Sequence, residues 1–199
     1  MKTIEIYIDE AGRWPWAGPV TVCGVVIIDK LLDLSIYDDS KILKSTKREL
    51  LYEKIIWLSS SWSLYFHAVS CTAKTIDKYG IIYALHRCVD KIARYFVALF
   101  GDRCVYKLIL DGNRTFGLEK KRDVETIIDG DAIIKSISMA SIVAKVTRDR
   151  TMIRYSKRYP WYWFDKHKWY GTKLHAAAIS KHWICPIHRV SYLRNILQN

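Results

Sequence analysis

The stretch Ile4 to Val20 constrains this chain most. Ile4, Ile6 and Ile8 alternate with polar residues, a period-two pattern that predicts a strand with one buried face over about residues 3 to 9. The strand runs into two adjacent carboxylates, Asp9 and Glu10, and then into a turn carrying Gly12, Pro15 and Gly18. An acidic pair after a strand is ordinarily a solvated loop or a helix cap. Its meaning changes with the company it keeps. Asp111 closes the apolar run Lys107 to Leu110, and Asp131 follows Ile127-Ile128-Asp129-Gly130. Three strand-like segments therefore end in carboxylates. Hard divalent cations take clustered oxygen ligands, and carboxylates gathered at one sheet edge repel one another unless a cation offsets the repulsion. Asp9, Glu10, Asp111 and Asp131 are the candidate metal ligands.

The remaining pattern predicts a second strand over Val20 to Ile28 and a polar connection from Leu31 to Lys47. A helix over about Thr46 to Leu58 follows, then a third strand from Trp62 to Ser70. Thr75 is the expected cap of one long helix reaching Phe100, with Ile81, Ala84, Leu85, Val89, Ile92, Ala93 and Phe96 at helical spacing. Tyr106 to Leu110 and Val124 to Ile128 read as further strands, and Ser136 to Tyr155 as a helix. Three early strands followed by strands alternating with helices predict an α/β or α+β chain around one mixed sheet.

Motifs in chain order carry a resemblance. Ile8-Asp9-Glu10-Ala11-Gly12-Arg13 with Ala17-Gly18-Pro19-Val20, Asp39-Ser40-Lys41, Leu110-Asp111-Gly112-Asn113 and Gly130-Asp131 form the first half. Ala140 to Asp149, His167-Lys168-Trp169-Tyr170-Gly171-Thr172, His175 and His188-Arg189-Val190-Ser191 form the second. This order resembles the ribonuclease HII family over essentially the whole chain. The resemblance implies the ribonuclease H-like fold: an α/β chain with a mixed five-stranded sheet flanked by helices and a C-terminal helical extension. It implies one catalytic domain over residues 1–199, in which the part after about residue 157 contacts substrate. The implied activity is endonucleolytic hydrolysis of the RNA strand of RNA-DNA hybrids, with cutting 5′ to ribonucleotides embedded in duplex DNA. Asp9, Glu10, Asp111 and Asp131 would then hold two Mg²⁺ or Mn²⁺ ions roughly 3.5 to 4 Å apart. Gly12, Arg13 and Trp14 would read the 2′-hydroxyl, Tyr170 would pack at the RNA-DNA junction, and Lys41 and Lys168 would contact phosphates. Two alternatives stand beside this: a ribonuclease HIII-like enzyme, whose relatives carry an extra N-terminal domain, and a catalytically impaired hybrid-binding protein.

Composition agrees with the nuclease reading. Thirty-two Lys and Arg against 20 Asp and Glu leave +12, which suits a polyanionic partner. Cys23, Cys71, Cys88, Cys104 and Cys185 form no C-x-x-C pair, and they read as reduced thiols buried as small hydrophobes. The apolar runs are too short to cross a membrane and the chain enters a strand at once, so a cytoplasmic monomer is expected. Asp149 lies four residues after Lys145 on one helical face, the spacing of a local ion pair rather than of a fifth catalytic carboxylate. The histidines His167, His175, His182 and His188 match no zinc spacing and are expected to be solvated or hydrogen-bonding.

The family pattern has glycine where this chain has Trp14, Trp161, Trp163, Trp169 and Trp183. Glycine and tryptophan are opposites in bulk, and a decoding difference accounts for the exchange: GGA and UGA differ in one base, so a host reading UGA as glycine would make glycine at these sites. Trp16, Trp57 and Trp62 need no such account.

Overall fold

The computed structural model describes residues 2–38, 40, 42–164 and 170–197. Among them, five strands form one mixed sheet in the order β3-β2-β1-β4-β5: β1 Thr3–Ala11, β2 Val20–Ile27, β3 Leu64–Cys71, β4 Val105–Asp111 and β5 Asp123–Ile127. The first three strands pair antiparallel as a meander, and β4 and β5 add parallel to β1. The helices are α1 Ser45–Ser60, α2 Ala73–Tyr79, α3 Ile81–Phe100, α4 Gly130–Ile133, α5 Lys135–Arg158, α6 Lys173–His182 and α7 Arg194–Leu197.

Alternation in β1 sorts its side chains onto two cores. Ile4, Ile6 and Ile8 face α3, whose Ala84, Leu85, Val89, Ile92, Ala93 and Phe96 are all buried there. The opposite face of the sheet packs on α5 and α1, burying Val25, Leu51, Ile55, Leu64, Ile142 and Val143. Helix α5 thus lies across the face toward which Asp9 points. A third, smaller core joins the C-terminal part to the turn after β1, through Ala17, Met152, Tyr162, Phe164, Ile179 and Leu193. The mixed sheet with flanking helices and a C-terminal helical part is as expected.

Two expectations change. The long helix is two: Gly80, at φ 83, breaks it between α2 and α3, because a residue with that backbone cannot continue a right-handed helix. Its cap is Thr72, whose hydroxyl accepts from the Thr75 amide at 3.3 Å, so Thr75 is the capped residue rather than the cap. All five cysteines are free, with Cys23, Cys71 and Cys88 buried. No helix among the described residues is long and apolar enough to cross a membrane.

Candidate active site

Register builds the acidic cluster. Ile8 pairs with Leu110 across the parallel β1–β4 ladder, so the next residues, Asp9 and Asp111, emerge side by side at the carboxyl ends of two parallel strands. In open α/β sheets that edge is where ligands bind. Asp131 arrives from the next connection. β5 ends at Ile127, Asp129 turns the chain at φ 53, and α4 starts at Gly130 with Asp131 buried in its first turn. Gly130 keeps the turn tight: a Cβ there would lie 3.2 Å from Asp111 Oδ1 and 2.7 Å from Ile137 Cδ1, so both side chains would have to shift. That bare backbone lets the Asp131 amide donate to Asp111 Oδ1 at 3.3 Å. Carboxylate oxygens of Asp9, Asp111 and Asp131 lie within 4.8 Å of one another. Glu10, on the other face of β1, ends 3.6 Å from Arg13 Nη1 and lines the same cleft.

The electrostatics of the cluster fit a cation. Burial, then the charges of Glu10 and Asp111, push the Asp9 carboxyl well above its ordinary range, against hydrogen bonds from Ser141 and the Glu10 amide. The Glu10 amide donates to Asp9 Oδ1 at 2.6 Å, and Ser141 on α5 is tied to Ser40 at 2.7 Å, so the carboxylate is held from two sides. Converging, oxygen-only donors that repel one another match the ligand preference of Mg²⁺ or Mn²⁺.

The cleft, of about 440 Å³, is lined by Asp9, Glu10, Asp111, Gly12, Arg13, Trp14 and Tyr170, so the expected substrate loop and the tyrosine do meet at the carboxylates. Trp14 is exposed, with the Arg13 guanidinium 5.3 Å from its ring centroid. Lys41 and Lys168 lie outside the described residues, as does Trp169. Lys145 Nζ binds Asp149 Oδ1 at 2.8 Å, the local pair expected, although Lys145 also lines the cleft. Burial depresses the Lys145 ammonium, with Asp149 opposing.

Four residues given no role by sequence reasoning shape this site. Arg148, on α5, donates from Nε to Pro19 O and from Nη2 to Ala17 O, at 3.0 and 3.2 Å. It also fills the space a Cβ at Gly12 would need, 1.9 Å from Nε, while Gly12 sits at φ 90. Arg189 donates to Gly18 O, Arg13 O and Gly12 O at 3.0, 2.9 and 2.6 Å. His175 and His188, both buried, join through their Nε2 atoms at 3.0 Å. Both arginines and both histidines stand in the family-like motifs of the sequence, which was the available signal. The targets of the two arginines are backbone carbonyls far away in sequence, and the histidines bind each other and the Tyr170 carbonyl inside the C-terminal part, pairings that no local pattern encodes.

An open mixed sheet with acidic residues at the ends of its parallel strands, under a basic chain, defines a metal-dependent nuclease of the ribonuclease H type. The model of the ribonuclease HII family matches residues 6–195. The chain is 42% identical over 193 residues to a ribonuclease HII of Endomicrobium trichonymphae, covering 93% of this chain and 83% of that one. The solved ribonuclease H2 of Pyrococcus horikoshii OT3 superposes with a TM-score of 0.70 at 26% identity, over 98% of this chain and 97% of that one. A Bst-RNase HIII structure in complex with Mn²⁺ shares the fold, with a TM-score of 0.67 at 13% identity over 99% of this chain and 70% of that one. The chain belongs to the ribonuclease HII family and is a metal-dependent endonuclease of the ribonuclease H type. Neither alternative, a ribonuclease HIII-like enzyme nor an impaired binder, is the family reading, and all four carboxylates stand at the cleft region.

Proposed function

We propose that the chain cuts the RNA strand of RNA-DNA hybrids, and duplex DNA on the 5′ side of an embedded ribonucleotide, leaving 3′-hydroxyl and 5′-phosphate ends. The convergence of Asp9, Asp111 and Asp131 within 4.8 Å beside the Gly12–Trp14 loop carries this reading. Asp9, Glu10, Asp111 and Asp131 would hold two divalent cations. When bound, such cations make a water nucleophilic near neutral pH and offset charge on the departing 3′ oxygen.

The protein supplies the rest. Asp9 and Asp111 are fixed by strand register and Asp131 by the Gly130 turn, so the ligands need little rearrangement. Gly12, Arg13 and Trp14 form a loop whose backbone lies against the sugar, and the 2′-hydroxyl is what separates RNA from DNA there. Tyr170, half exposed across the cleft, packs on the sugar at the junction. Lys41, Lys168 and the basic surface contact phosphates and set position without reading bases. The whole chain acts as one catalytic domain in this reading, the part after about residue 157 contributing Tyr170. A monomer working in the cytoplasm suffices for it.

The test is cleavage of a duplex with one embedded ribonucleotide, with Mg²⁺ or Mn²⁺, read at nucleotide resolution. A cut 5′ to the ribonucleotide is expected, and an intact duplex beside a cleaved long hybrid would remove the junction reading.

A further inference from the structure

The two halves of the cleft that face the sugar, residues 12–14 and Tyr170, come from opposite ends of the chain and share one anchor. We propose that His188-Arg189 is the positioning element of the sugar reader, fixing both halves at once from behind. The proposal rests on the assignment of Gly12, Arg13, Trp14 and Tyr170 to the sugar.

Arg189 is fully buried and takes the carbonyls of Gly12, Arg13 and Gly18. A trans peptide points its N–H opposite its C=O, and the chain has no cis bonds among its described residues. Drawing the Gly12 and Arg13 carbonyls inward therefore turns the amides of Arg13 and Trp14 outward, as donors available to a hydroxyl. The Tyr192 hydroxyl adds a donor to Arg13 O at 3.2 Å.

The neighbouring His188 reaches the other half through a relay whose direction follows from its donors. The Cys185 amide donates to His188 Nδ1 at 2.9 Å, closer than the Cys185 carbonyl at 3.3 Å, so that nitrogen is assigned as the acceptor and Nε2 carries the hydrogen. His188 Nε2–H then donates to His175 Nε2 at 3.0 Å, which leaves His175 Nδ1–H to donate to the Tyr170 carbonyl at 3.2 Å. The Thr172 amide donates to the same carbonyl at 2.9 Å.

The segment is itself tied to the sheet domain. Asp77 on α2 accepts from the Val190 amide, the Ser191 amide and the Ser191 hydroxyl at 2.9, 3.0 and 2.6 Å. The Arg189 amide donates to Trp16 O at 2.7 Å, and the Gly18 amide to Ile187 O at 2.8 Å. A buried guanidinium spent on backbone carbonyls is a costly way to fill a core, since desolvation disfavours its charge and draws its pKa down to about 10. Its use here buries a fork that satisfies three carbonyls in one fixed geometry.

The test compares Arg189→Lys, His175→Leu and His175→Asn on a single-ribonucleotide duplex. Asn keeps a donor at the place of Nδ1, whereas Leu keeps only bulk. Misplacement of a positioning loop by about 1 Å costs on the order of 10²-fold. Arg189→Lys and His175→Leu are expected to lose that much kcat with KM moved only a few-fold, Mn²⁺ still raising Tm as in the parent and His175→Asn recovering most of the rate. Parental kcat in either Arg189→Lys or His175→Leu, or equal loss in His175→Asn and His175→Leu, would overturn the proposal. If Arg189→Lys does not fold, the histidine pair decides alone. Tyr170→Ala separates the layers: unchanged junction cutting by Tyr170→Ala contradicts the sugar-reader assignment, whereas its loss beside a normal Arg189→Lys contradicts only the anchor.

A second inference rests on backbone geometry. The described non-glycine residues with positive φ are Trp62, Phe116, Asp129, Trp163 and Trp183. Tryptophan supplies three of the five from only 8 positions in the chain. Bulky side chains are outliers there. Trp183 caps α6 at φ 65, ψ −163, in a region open essentially to glycine, and Gly80 and Gly101 cap α2 and α3 close to it in φ/ψ space, at φ 83, ψ 162 and φ 85, ψ 164. Trp163 sits at φ 47, ψ 42, and Trp62 follows the α1 cap at φ 61. Residues Trp62, Trp163 and Trp183 are 69%, 40% and 70% exposed, so at 62 and 183 little packing holds the chain in that conformation. Trp16 differs: it packs on His175 and against Gly171. We infer that residues 62, 163 and 183 are glycine in the protein its host makes, through UGA decoding. Trp62 thus joins the set, against the expectation from motif matching; Trp14 and Trp161 are outside the positive-φ group. Peptide mass spectrometry of the native protein is expected to find glycine at all three and tryptophan at 16; tryptophan at 163 and 183 would overturn the inference.

Discussion

The acidic cluster and the loops proposed to face the sugar sit on one cleft but are made by different physics. Asp9 and Asp111 are neighbours because two parallel strands share a register, and the backbone ladder that sets it also holds the sheet together. The loop at residues 12–14 and Tyr170 belong to no ladder. Their positions depend on side chains: Arg148 and Arg189 donate to carbonyls across the fold, and His188 acts through His175 on the Tyr170 carbonyl. Metal binding therefore rests on the more robust region and the proposed discrimination on the more fragile one. Substitutions should separate the two.

The largest effect is expected in the cluster. Asp111→Asn should lower cleavage by at least about 10²-fold, the scale for losing one group that stabilises developing charge, while duplex binding persists. The same cluster predicts a metal and pH dependence. The folded pKa of Asp9 is raised above the unfolded value of 3.8, so the folded state holds the proton more tightly. Asp9's contribution to metal-free stability is then fully present below 3.8 and is lost as pH rises through the raised pKa. Chelation at neutral pH should lower Tm, and Mn²⁺ should restore it; Asp9→Asn should remove most of that metal response, as calorimetry with and without chelator would read.

The sugar loops come next. Trp14 places an exposed indole beside Arg13 at the cleft, where the loop must lie close to a shallow minor groove. Trp14→Gly should raise single-ribonucleotide cleavage several-fold, with little change in affinity for plain DNA by fluorescence anisotropy. Equal rates would show that the indole swings clear.

Smaller still is the effect of the caps. Trp183→Gly removes a side chain from a glycine-only conformation and should stabilise the protein by about 1 kcal/mol, on the scale of left-handed strain, measured by urea unfolding. The smallest belongs to the outer surface. Each Lys→Ala change that takes a cation away from a phosphate should reduce the log-log salt slope by roughly 0.9, and an affinity indifferent to salt would deny the basic surface its role.

The same contrast explains what could be read from the residues alone. Period-two alternation in Ile4, Ile6 and Ile8 and the helical spacing of Ala84 to Phe96 are local patterns that lie where expected, and of the carboxylates Asp9 and Asp111 lie on strands whereas Asp131 falls in the first turn of α4. The break at Gly80 was hidden because apolar spacing continues across it, while the φ that ends α2 leaves no mark except the glycine itself. The roles of Arg189 and His188 were hidden for another reason. Their acceptors lie more than 170 residues away for Arg189 and through a second histidine for His188, so only the folded chain brings them together. Lys145 with Asp149 stands between these cases, a helical pair read correctly whose placement on the cleft came from the fold.

The most direct measurement is strand-specific cleavage of a duplex carrying one ribonucleotide by the parent protein and Asp9→Asn, in Mn²⁺ at fixed salt. A single cut on the 5′ side of the ribonucleotide is expected from the parent, and near-complete loss with retained binding from Asp9→Asn. Turnover by Asp9→Asn close to that of the parent would contradict the metal-dependent mechanism.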